Sequence, residues 1–409
     1  MPQAPYETQQ IADMVRRAVA HSDAGTTDST AEIYRLPVSS YSPQSWGLEM
    51  EAIFRRLPLM LALGAELRSP GMYKAMKVLD VPVLMVRGED QRVRAFINAC
   101  RHRGRAVTPT HDEQGQARAF SCPYHAWRYS LAGELLAVAD PRKFGEIDKS
   151  LHGLVELPCE ERVGFVWVCI TPGLAFDIDH YLGGMLQELE CLEAEQWHVH
   201  GTARLDSANW KITHDGYLES YHIPFLHRDT LYPMWGRESM SSVSLYDAYG
   251  PLPSGPHQRM AGNAWGYDPA LMRRMKDVPE SEYTEHHFHA VRTLFPHISI
   301  SADKQGGLVS QLLPVAPDRC VTIQYHVNRR DPATYTPAES QAMRERIALY
   351  AKVVRDEDYS ATFSIQEGLA AGANHEMLFG RNEGGAQNFH RSVHHYVQAY
   401  KQLNLEKQA

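Results

Sequence analysis

The sequence predicts an α+β protein in two parts: a small all-β domain, then a larger domain combining an antiparallel sheet with a long helix. Three observations point there. At 409 residues the chain exceeds one ordinary domain. Short strand-like runs punctuated by turn residues crowd residues 70–170. Beyond Pro172, strand and helix periods mix and close on a helix-period stretch over 338–370.

Taken in order, residues 1–35 are rich in Thr, Ser, Asp and Gln. They are expected to form a poorly ordered or loosely docked arm, its one amphipathic stretch carried by Ile11, Met14, Val15 and Val19. Ser42-Pro43 opens a helix to about residue 55, because Pro at the first helical position gives up an N–H that would be unpaired anyway. Trp46, Met50, Ile53 and Phe54 supply its apolar face. Strands are expected at 81–87 and 92–98 around the turn Gly88-Glu89-Asp90-Gln91, and at 118–122, 127–130 and 162–169. These set the first domain at 36–172 and the second at 173–409. The second opens with a polar helix near 183–195, reaches an antiparallel set at 298–302, 308–315 and 321–327, and ends on the helix at 338–370. The stretch 251–266, with its Pro, Gly, Ser and Asn, is expected to be a mobile cover.

Composition narrows the function. The chain is 44% hydrophobic and 22% charged, the balance of a globular enzyme rather than a disordered chain. A formal net charge of −8 leaves no basic surplus for a nucleic-acid partner. No apolar run approaches the roughly 20 residues a membrane span needs, and residues 1–30 lack a basic-then-apolar signal pattern, so a cytoplasmic location is expected. Six cysteines make no disulfide framework. Cys159, Cys169, Cys191 and Cys320 stand alone and read as buried small hydrophobes; Cys100 and Cys122 do not.

The segments Asn98-Ala99-Cys100-Arg101-His102-Arg103-Gly104 and Ser121-Cys122-Pro123-Tyr124-His125-Ala126-Trp127 each set one thiol and one imidazole close together, with nineteen residues between His102 and Cys122. Each pair ends an expected strand and enters a Gly- or Pro-bearing loop, so two loops can pinch one inorganic object between them. A 2Fe–2S centre with two Cys on one iron and two His on the other wants this arrangement, since neutral imidazole in place of thiolate removes negative charge and raises the potential. Two other readings stay open on spacing alone. One is a structural zinc site, which more often pairs like ligands; the other is four residues of ordinary core.

Residues 81–105 (VPVLMVRGEDQRVRAFINACRHRGR) and 119–135 (AFSCPYHAWRYSLAGEL) resemble the Rieske domain of the ring-hydroxylating oxygenase family. The resemblance implies that Cys100 and Cys122 hold one iron and His102 and His125 the other. The spacer, slightly longer than in most relatives, reads as a longer hairpin at 108–116. The family also implies a helix-grip second domain, built on an antiparallel sheet and a long helix.

A second constellation follows in Asn209-Trp210-Lys211 and Glu219-Ser220-Tyr221-His222-Ile223-Pro224-Phe225-Leu226-His227. Two His and one carboxylate on one face of Fe(II) leave adjacent positions open for O2. On an ideal helix His222 and His227 would lie about 140° apart, and Pro224 is expected to disrupt the helix and swing both rings to one side. Alone, His-x4-His reads better as surface or core histidines than as a metal site; in the family this pattern marks the mononuclear iron. The third ligand is expected in the C-terminal helix. Met343, Ile347, Tyr350, Val354, Ala361 and Ile365 trace an apolar stripe, and Asp358 falls on it while Asp356 and Glu357 fall off it. A buried salt bridge or a misphased stripe is the alternative. The family's acidic pair followed eight residues later by Gln (here Gln366) points to Asp358 as well.

By the same resemblance Glu219 bridges a Rieske histidine to an iron-ligand histidine across a subunit boundary, joining His125 of one copy to His222 of the next in a homotrimer, with or without a second, β subunit. This chain has Gly216 where some relatives carry Asn. Asp215, Tyr217 and Tyr221 are supporting candidates; His286, His287, His289, His394 and His395 read as solvated. No GxGxxG fingerprint follows a strand, so NAD(P)H electrons are expected through a separate reductase, with or without a ferredoxin, to activate O2 and hydroxylate a small organic molecule. Met234, Trp235, Met240, Met260, Trp265, Phe288 and Phe295 suggest a flat apolar pocket or plain core. An aromatic or polycyclic substrate is therefore expected. Glu rather than Asp at 219, a feature of relatives that oxidise quaternary ammonium compounds, suggests such a compound as the alternative. A bare electron-transfer Rieske protein would leave the residues after Pro172 without a use.

Overall fold

A computed structural model describes residues 6–108, 113–231, 244–263, 277–279 and 288–406. The chain divides into two compact units, Met50–Tyr181 with Glu193–His198, and Met1–Glu49 with Leu182–Leu192 and Val199–Ala409.

The smaller unit is β-rich. Five antiparallel strands run in the order Glu156–Leu157, Val93–Ile97, Val81–Arg87, Met72–Val78, Glu113–Gln116. The expected turn joins two of them, with the Gly88 N–H donating to the Arg92 carbonyl at 2.8 Å. Val83, Leu84, Met85 and Val86 are all buried, as a continuous apolar run requires when both faces of a strand are covered. A second sheet joins Cys159–Arg162, Phe165–Val168 and Leu59–Leu63; a third joins Phe120–Ser121, Arg128–Tyr129 and Leu135–Ala137. The hairpin expected over 108–116 does not close on itself. Glu113–Gln116 instead forms the edge of the sheet against Met72–Val78, from Glu113 opposite Ala75 to Gln116 opposite Met72, and 109–112 lie outside the described residues.

Inside this unit Lys74 Nζ lies 2.9 Å from Glu66 Oε2, both side chains buried. Glu66 also accepts from the Leu63 N–H at 2.9 Å, and Lys74 donates to the Leu61 carbonyl at 3.0 Å. Removing the ammonium strands a buried carboxylate. Lys74→Met is expected to destabilise the chain by about 3–5 kcal/mol, read as a lowered denaturation midpoint.

The larger unit is built on a seven-stranded antiparallel sheet in the order His198–Ser207, Arg319–Asn328, Gly306–Ala316, Ile298–Asp303, Phe288–Leu294, His257–Asn263, Ser244–Tyr249. The C-terminal helical run follows it. It is not one helix: Pro337–Val353 and Ser360–Ala370 are α-helical, and Val354–Tyr359 between them is a π-helical turn. The run starts at a reciprocal cap in which Thr336 Oγ1 accepts from the Glu339 N–H and Glu339 Oε2 accepts from the Thr336 N–H.

Four expectations are corrected. Residues Tyr6–Ala24 form a 19-residue helix, not a loose arm. Ile11, Met14, Val15 and Ala18 pack on Leu245 and Ala261, and Arg17 reaches Asp28 at 2.5 Å and Asp247 at 2.8 Å. The stretch expected as a mobile cover contains the strand His257–Asn263. The polar helix near 183–195 is two short ones, Ile178–Leu182 and Met185–Glu190. The helix opened by Ser42-Pro43 ends at Glu49 and continues as a π-helical turn, Met50–Phe54, with residues 36–49 grouped with the larger unit. The reason is Glu49, whose buried carboxylate accepts from Trp210 Nε1 at 2.9 Å and pairs with Lys211. Among the described residues no helix is long and apolar enough to cross a membrane.

Candidate metal centres

In the smaller unit, the loop after Val93–Ile97 carries Cys100 and His102, and the loop between Phe120–Ser121 and Arg128–Tyr129 carries Cys122 and His125. Each loop is closed by its own backbone. The Cys100 N–H donates to the Arg105 carbonyl and the Gly104 N–H to the Cys100 carbonyl, both at 2.8 Å; the Cys122 N–H donates to the Trp127 carbonyl at 2.8 Å. Gly104 turns the first loop at φ 77°. The two thiols are buried, and the two imidazoles sit outside them with ring centroids 4.8 Å apart. His102 stacks on the buried Trp127 at 5.1 Å. The Tyr129 hydroxyl lies 3.2 Å from Cys100 Sγ and accepts from the Arg101 N–H at 2.9 Å. Burial, then the neighbouring His125 ring, holds His102 below the usual imidazole range, and neutral imidazole is the form that binds metal.

Two features match this donor set to a sulfide-bridged iron pair. His125 Nδ1 is buried with no hydrogen-bond partner, a polar atom that a metal would satisfy. The four donors also do not gather as they would around one zinc ion. Among the described residues, the grouping in which three such donors lie within 4.8 Å of one another is His222, His227 and Asp358.

That second grouping is assembled in the larger unit from two helical pieces. Asn209 caps Trp210–Asp215: its Oδ1 accepts from the Lys211 N–H at 2.9 Å, and its own N–H donates to Gln366 Oε1 at 2.8 Å. Gln366 thereby ties this helix to the C-terminal one. Ile223–Leu226 is a single helical turn flanked by the two histidines. Pro224 does not break it, because in the first turn its missing N–H costs nothing. The rings meet because the helix is so short: His227 leaves it at φ −96°, ψ 19°, bringing the centroids to 5.3 Å.

Both rings are held the same way. His222 Nδ1 contacts Glu219 Oε1, and its Nε2 faces Asp358 Oδ1 at 3.6 Å. His227 Nδ1 donates to Glu357 Oε2 at 2.6 Å, and its Nε2 lies 3.2 Å from the same Asp358 oxygen. With each Nδ1–H given to a carboxylate, both Nε2 lone pairs point inward, the tautomer a metal needs. Burial lowers the His227 pKa, but Asp358 and Glu357 outweigh it and raise it overall, the field of a site that attracts a cation.

Glu357 was placed off the buried stripe, and its part is a correction. The stripe assumed a regular helix; the π-helical turn adds a residue, so the buried positions become Val353, Tyr359, Thr362 and Leu369, and Ile365 is exposed. The same extra residue turns two consecutive carboxylates, Glu357 and Asp358, toward the histidines. Glu357 also accepts from Thr230 Oγ1 at 2.8 Å. Glu357→Gln is expected to weaken iron retention by about 10–100-fold, measured as iron lost to a chelator, while the cluster absorbance stays unchanged.

Of the other candidates, Asp215 is half-buried and takes a hydrogen bond from His390 Nε2 at 2.9 Å. The Tyr217 hydroxyl meets that of Tyr359 at 2.9 Å, which donates to Thr322 Oγ1 at 2.6 Å. Tyr221 is exposed, as are His394 and His395. His286 and His287 lie outside the described residues, as does the side chain of His289.

His222 and His227 open on a cavity of about 760 Å³, within the larger unit, of the size that holds a small molecule. Met260 lines it. Phe295 does not; it stacks on Tyr396 in the core at 5.3 Å. Met234, Trp235, Met240 and Trp265 lie outside the described residues, with the side chain of Phe288. The described wall is mixed: Ile11, Leu231, Leu308 and Val354 are apolar, while Ser299, Ser301, Ser310, Gln324, His326 and Asn328 put polar groups on the sheet face.

Residues 58–151 match the Rieske [2Fe-2S] domain family, and residues 194–399 the catalytic domain of the ring-hydroxylating alpha subunit. The chain belongs to the Rieske non-haem iron oxygenases as an alpha subunit, an O2-using oxidoreductase. The carnitine monooxygenase oxygenase subunit of Acinetobacter pittii is 27% identical over 337 residues, 80% of this chain and 83% of that protein. The glycine betaine monooxygenase oxygenase subunit of Chromohalobacter salexigens is 30% identical over 218 residues, 51% of this chain, and the match spans about half (48%) of that protein. The anthranilate 1,2-dioxygenase large subunit of Burkholderia cepacia is 25% identical over 386 residues, 86% of this chain and 88% of that protein. Among solved structures, a quaternary ammonium Rieske monooxygenase with L-carnitine shares the fold at a TM-score of 0.73 and 23% identity, covering 93% of this chain and 97% of that one. Naphthalene 1,2-dioxygenase shares it at 0.70 and 20%, covering 89% and 92%.

Proposed function

We propose that this oxygenase hydroxylates a small quaternary ammonium compound at a carbon beside its nitrogen, in the cavity bordered by His222 and His227. The observation that carries the reading is the convergence of His222, His227 and Asp358 beside a cavity whose sheet face carries polar side chains. Support also comes from relatives named for glycine betaine and carnitine and from Glu at position 219. An aromatic substrate is the second reading, favoured by the anthranilate enzyme among the relatives.

When bound, the iron centres would supply electron storage and O2 activation, for an overall change in which R–H, O2, two electrons and two protons give R–OH and water. The chain's residues do the rest. Cys100, Cys122, His102 and His125 hold the cluster, the imidazoles outermost where a partner's electrons arrive. His222, His227 and Asp358 hold the single iron by one face and leave the cavity side open. Glu219 and Glu357 fix the two rings through Nδ1. Hydroxylation beside a quaternary nitrogen leaves N–CH(OH), whose C–N bond breaks to give an amine and an aldehyde, the hydroxyl proton leaving to solvent. Electrons come from a separate reductase, and Glu219 connects His222 to His125 of a neighbouring copy in a homotrimer.

The test is O2 consumption by the iron-loaded chain with a surrogate reductase, against glycine betaine, carnitine, anthranilate and naphthalene. Consumption coupled to aldehyde release with an ammonium compound is expected. Coupled turnover of the aromatics alone would contradict the reading.

A further inference from the structure

The cavity wall carries polar groups that the chain itself does not satisfy. Nε2 of His326 is buried without a hydrogen bond among the described residues, and the buried Gln324 amide, near the Tyr217 hydroxyl, makes no well-formed hydrogen bond there. Gln324 is 0% and His326 8% exposed, and both line the cavity. They lie two apart on Arg319–Asn328, so alternation puts both on the same face. Leaving such groups unpaired is costly, and the edge-on contact of His326 with Tyr350 at 6.2 Å leaves its Nε2 unpaired. They sit where a ligand would satisfy them.

The charges of the cavity say what kind of ligand. Three arginines line it, Arg259, Arg292 and Arg346. Arg259 is neutralised by Glu188 at 2.5 Å and Asp247 at 2.8 Å, and Arg292 meets Glu188 at 3.1 Å. Arg346, on Pro337–Val353, has no carboxylate partner among the described residues. Burial, then the charge of Arg346, pushes the His326 pKa down to about 4, which leaves a neutral ring beside an uncompensated cation. Of the other cavity carboxylates, Glu219 is taken by His222 and Glu7 by Lys304 at 3.6 Å, while Asp303 accepts the Gln305 N–H at 2.7 Å.

We infer that Arg346, His326 and Gln324 form the subsite for a carboxylate on the substrate, with Arg346 supplying the charge and the imidazole and amide donating hydrogen bonds. This rests on the reading of the cavity as the substrate site, but not on the ammonium group, and the test separates the two. Binding to the iron-loaded enzyme is measured by calorimetry for two pairs of probes that differ by a carboxylate: glycine betaine against choline, and anthranilate against aniline. The carboxylate-bearing member of at least one pair is expected to bind about 10–100-fold more tightly. Gln324→Leu, His326→Leu and Arg346→Glu should each erase most of that preference. In turnover they should raise KM for the carboxylate substrate while leaving kcat at saturation unchanged, a split that a merely structural defect would not give. Arg346 is exposed, so its variant is the one least exposed to misfolding. A preference confined to anthranilate keeps the subsite and overturns the ammonium reading. No preference in either pair, or a preference the Arg346 variant keeps, overturns the subsite.

Discussion

Asp358→Ala is expected to abolish substrate-coupled O2 consumption while the visible absorbance of the Rieske cluster survives. Among the described residues, Asp358 is the acidic group that faces both histidine Nε2 atoms, at 3.6 and 3.2 Å. Without it two neutral rings remain, too few to hold iron against solvent, so the loss should exceed the roughly 10–100-fold that removal of an outer partner costs. Iron content should fall by one per chain with sulfide unchanged. Retained iron and turnover would show that another carboxylate is the ligand, and Glu357 is then the one to replace.

Glu219→Gln is expected to loosen the iron by about 10–100-fold, as Glu357→Gln does, and in the iron-loaded variant to cut steady-state turnover by about 100-fold or more, beyond what a lost hydrogen bond to a ligand ring costs. In this chain Glu219 accepts the backbone N–H groups of Tyr221 and His222 and meets His222 Nδ1. An amide can keep one of those contacts but cannot stabilise the charge that moves with an electron. Anaerobic mixing of reduced variant with O2 and substrate separates the steps. A single turnover at the iron, without reoxidation of the cluster, locates the fault in the connection. Cluster reoxidation at the unaltered rate in the iron-loaded variant would make Glu219 a support for the ligand alone.

How far these sites can be read from sequence depends on how local they are. Cys100, His102, Cys122 and His125 sit in two loops of a few residues, so spacing along the chain nearly equals spacing in space. His222 and His227 share a single helical turn. Asp358 lies more than a hundred residues on, and the stripe that led to it is not the face the structure buries; the acidic pair eight residues before Gln366 points to it independently. Glu357 was lost at the same step, since the stripe presumed a regular helix and Val354–Tyr359 is a π-helical turn. Two Gly- and Pro-free acids beside an apolar stripe carry no signal of that turn. The first helix, Tyr6–Ala24, hid behind a polar composition that describes only its outer face. Gln324 and His326 could have been found: in Cys320-Val-Thr-Ile-Gln-Tyr-His-Val327 they are large polar residues at alternate positions of a strand already recognised as buried.

Counting metal tests the account most directly. Anaerobically purified chain should carry three irons and two acid-labile sulfides, two irons from the Cys100–His102–Cys122–His125 set and one from His222, His227 and Asp358. His222→Ala should bring the iron to two without touching the sulfide. Two irons in the unaltered chain that do not change in the variant would mean that the histidine pair holds no metal and the cavity beside it hosts no oxidation.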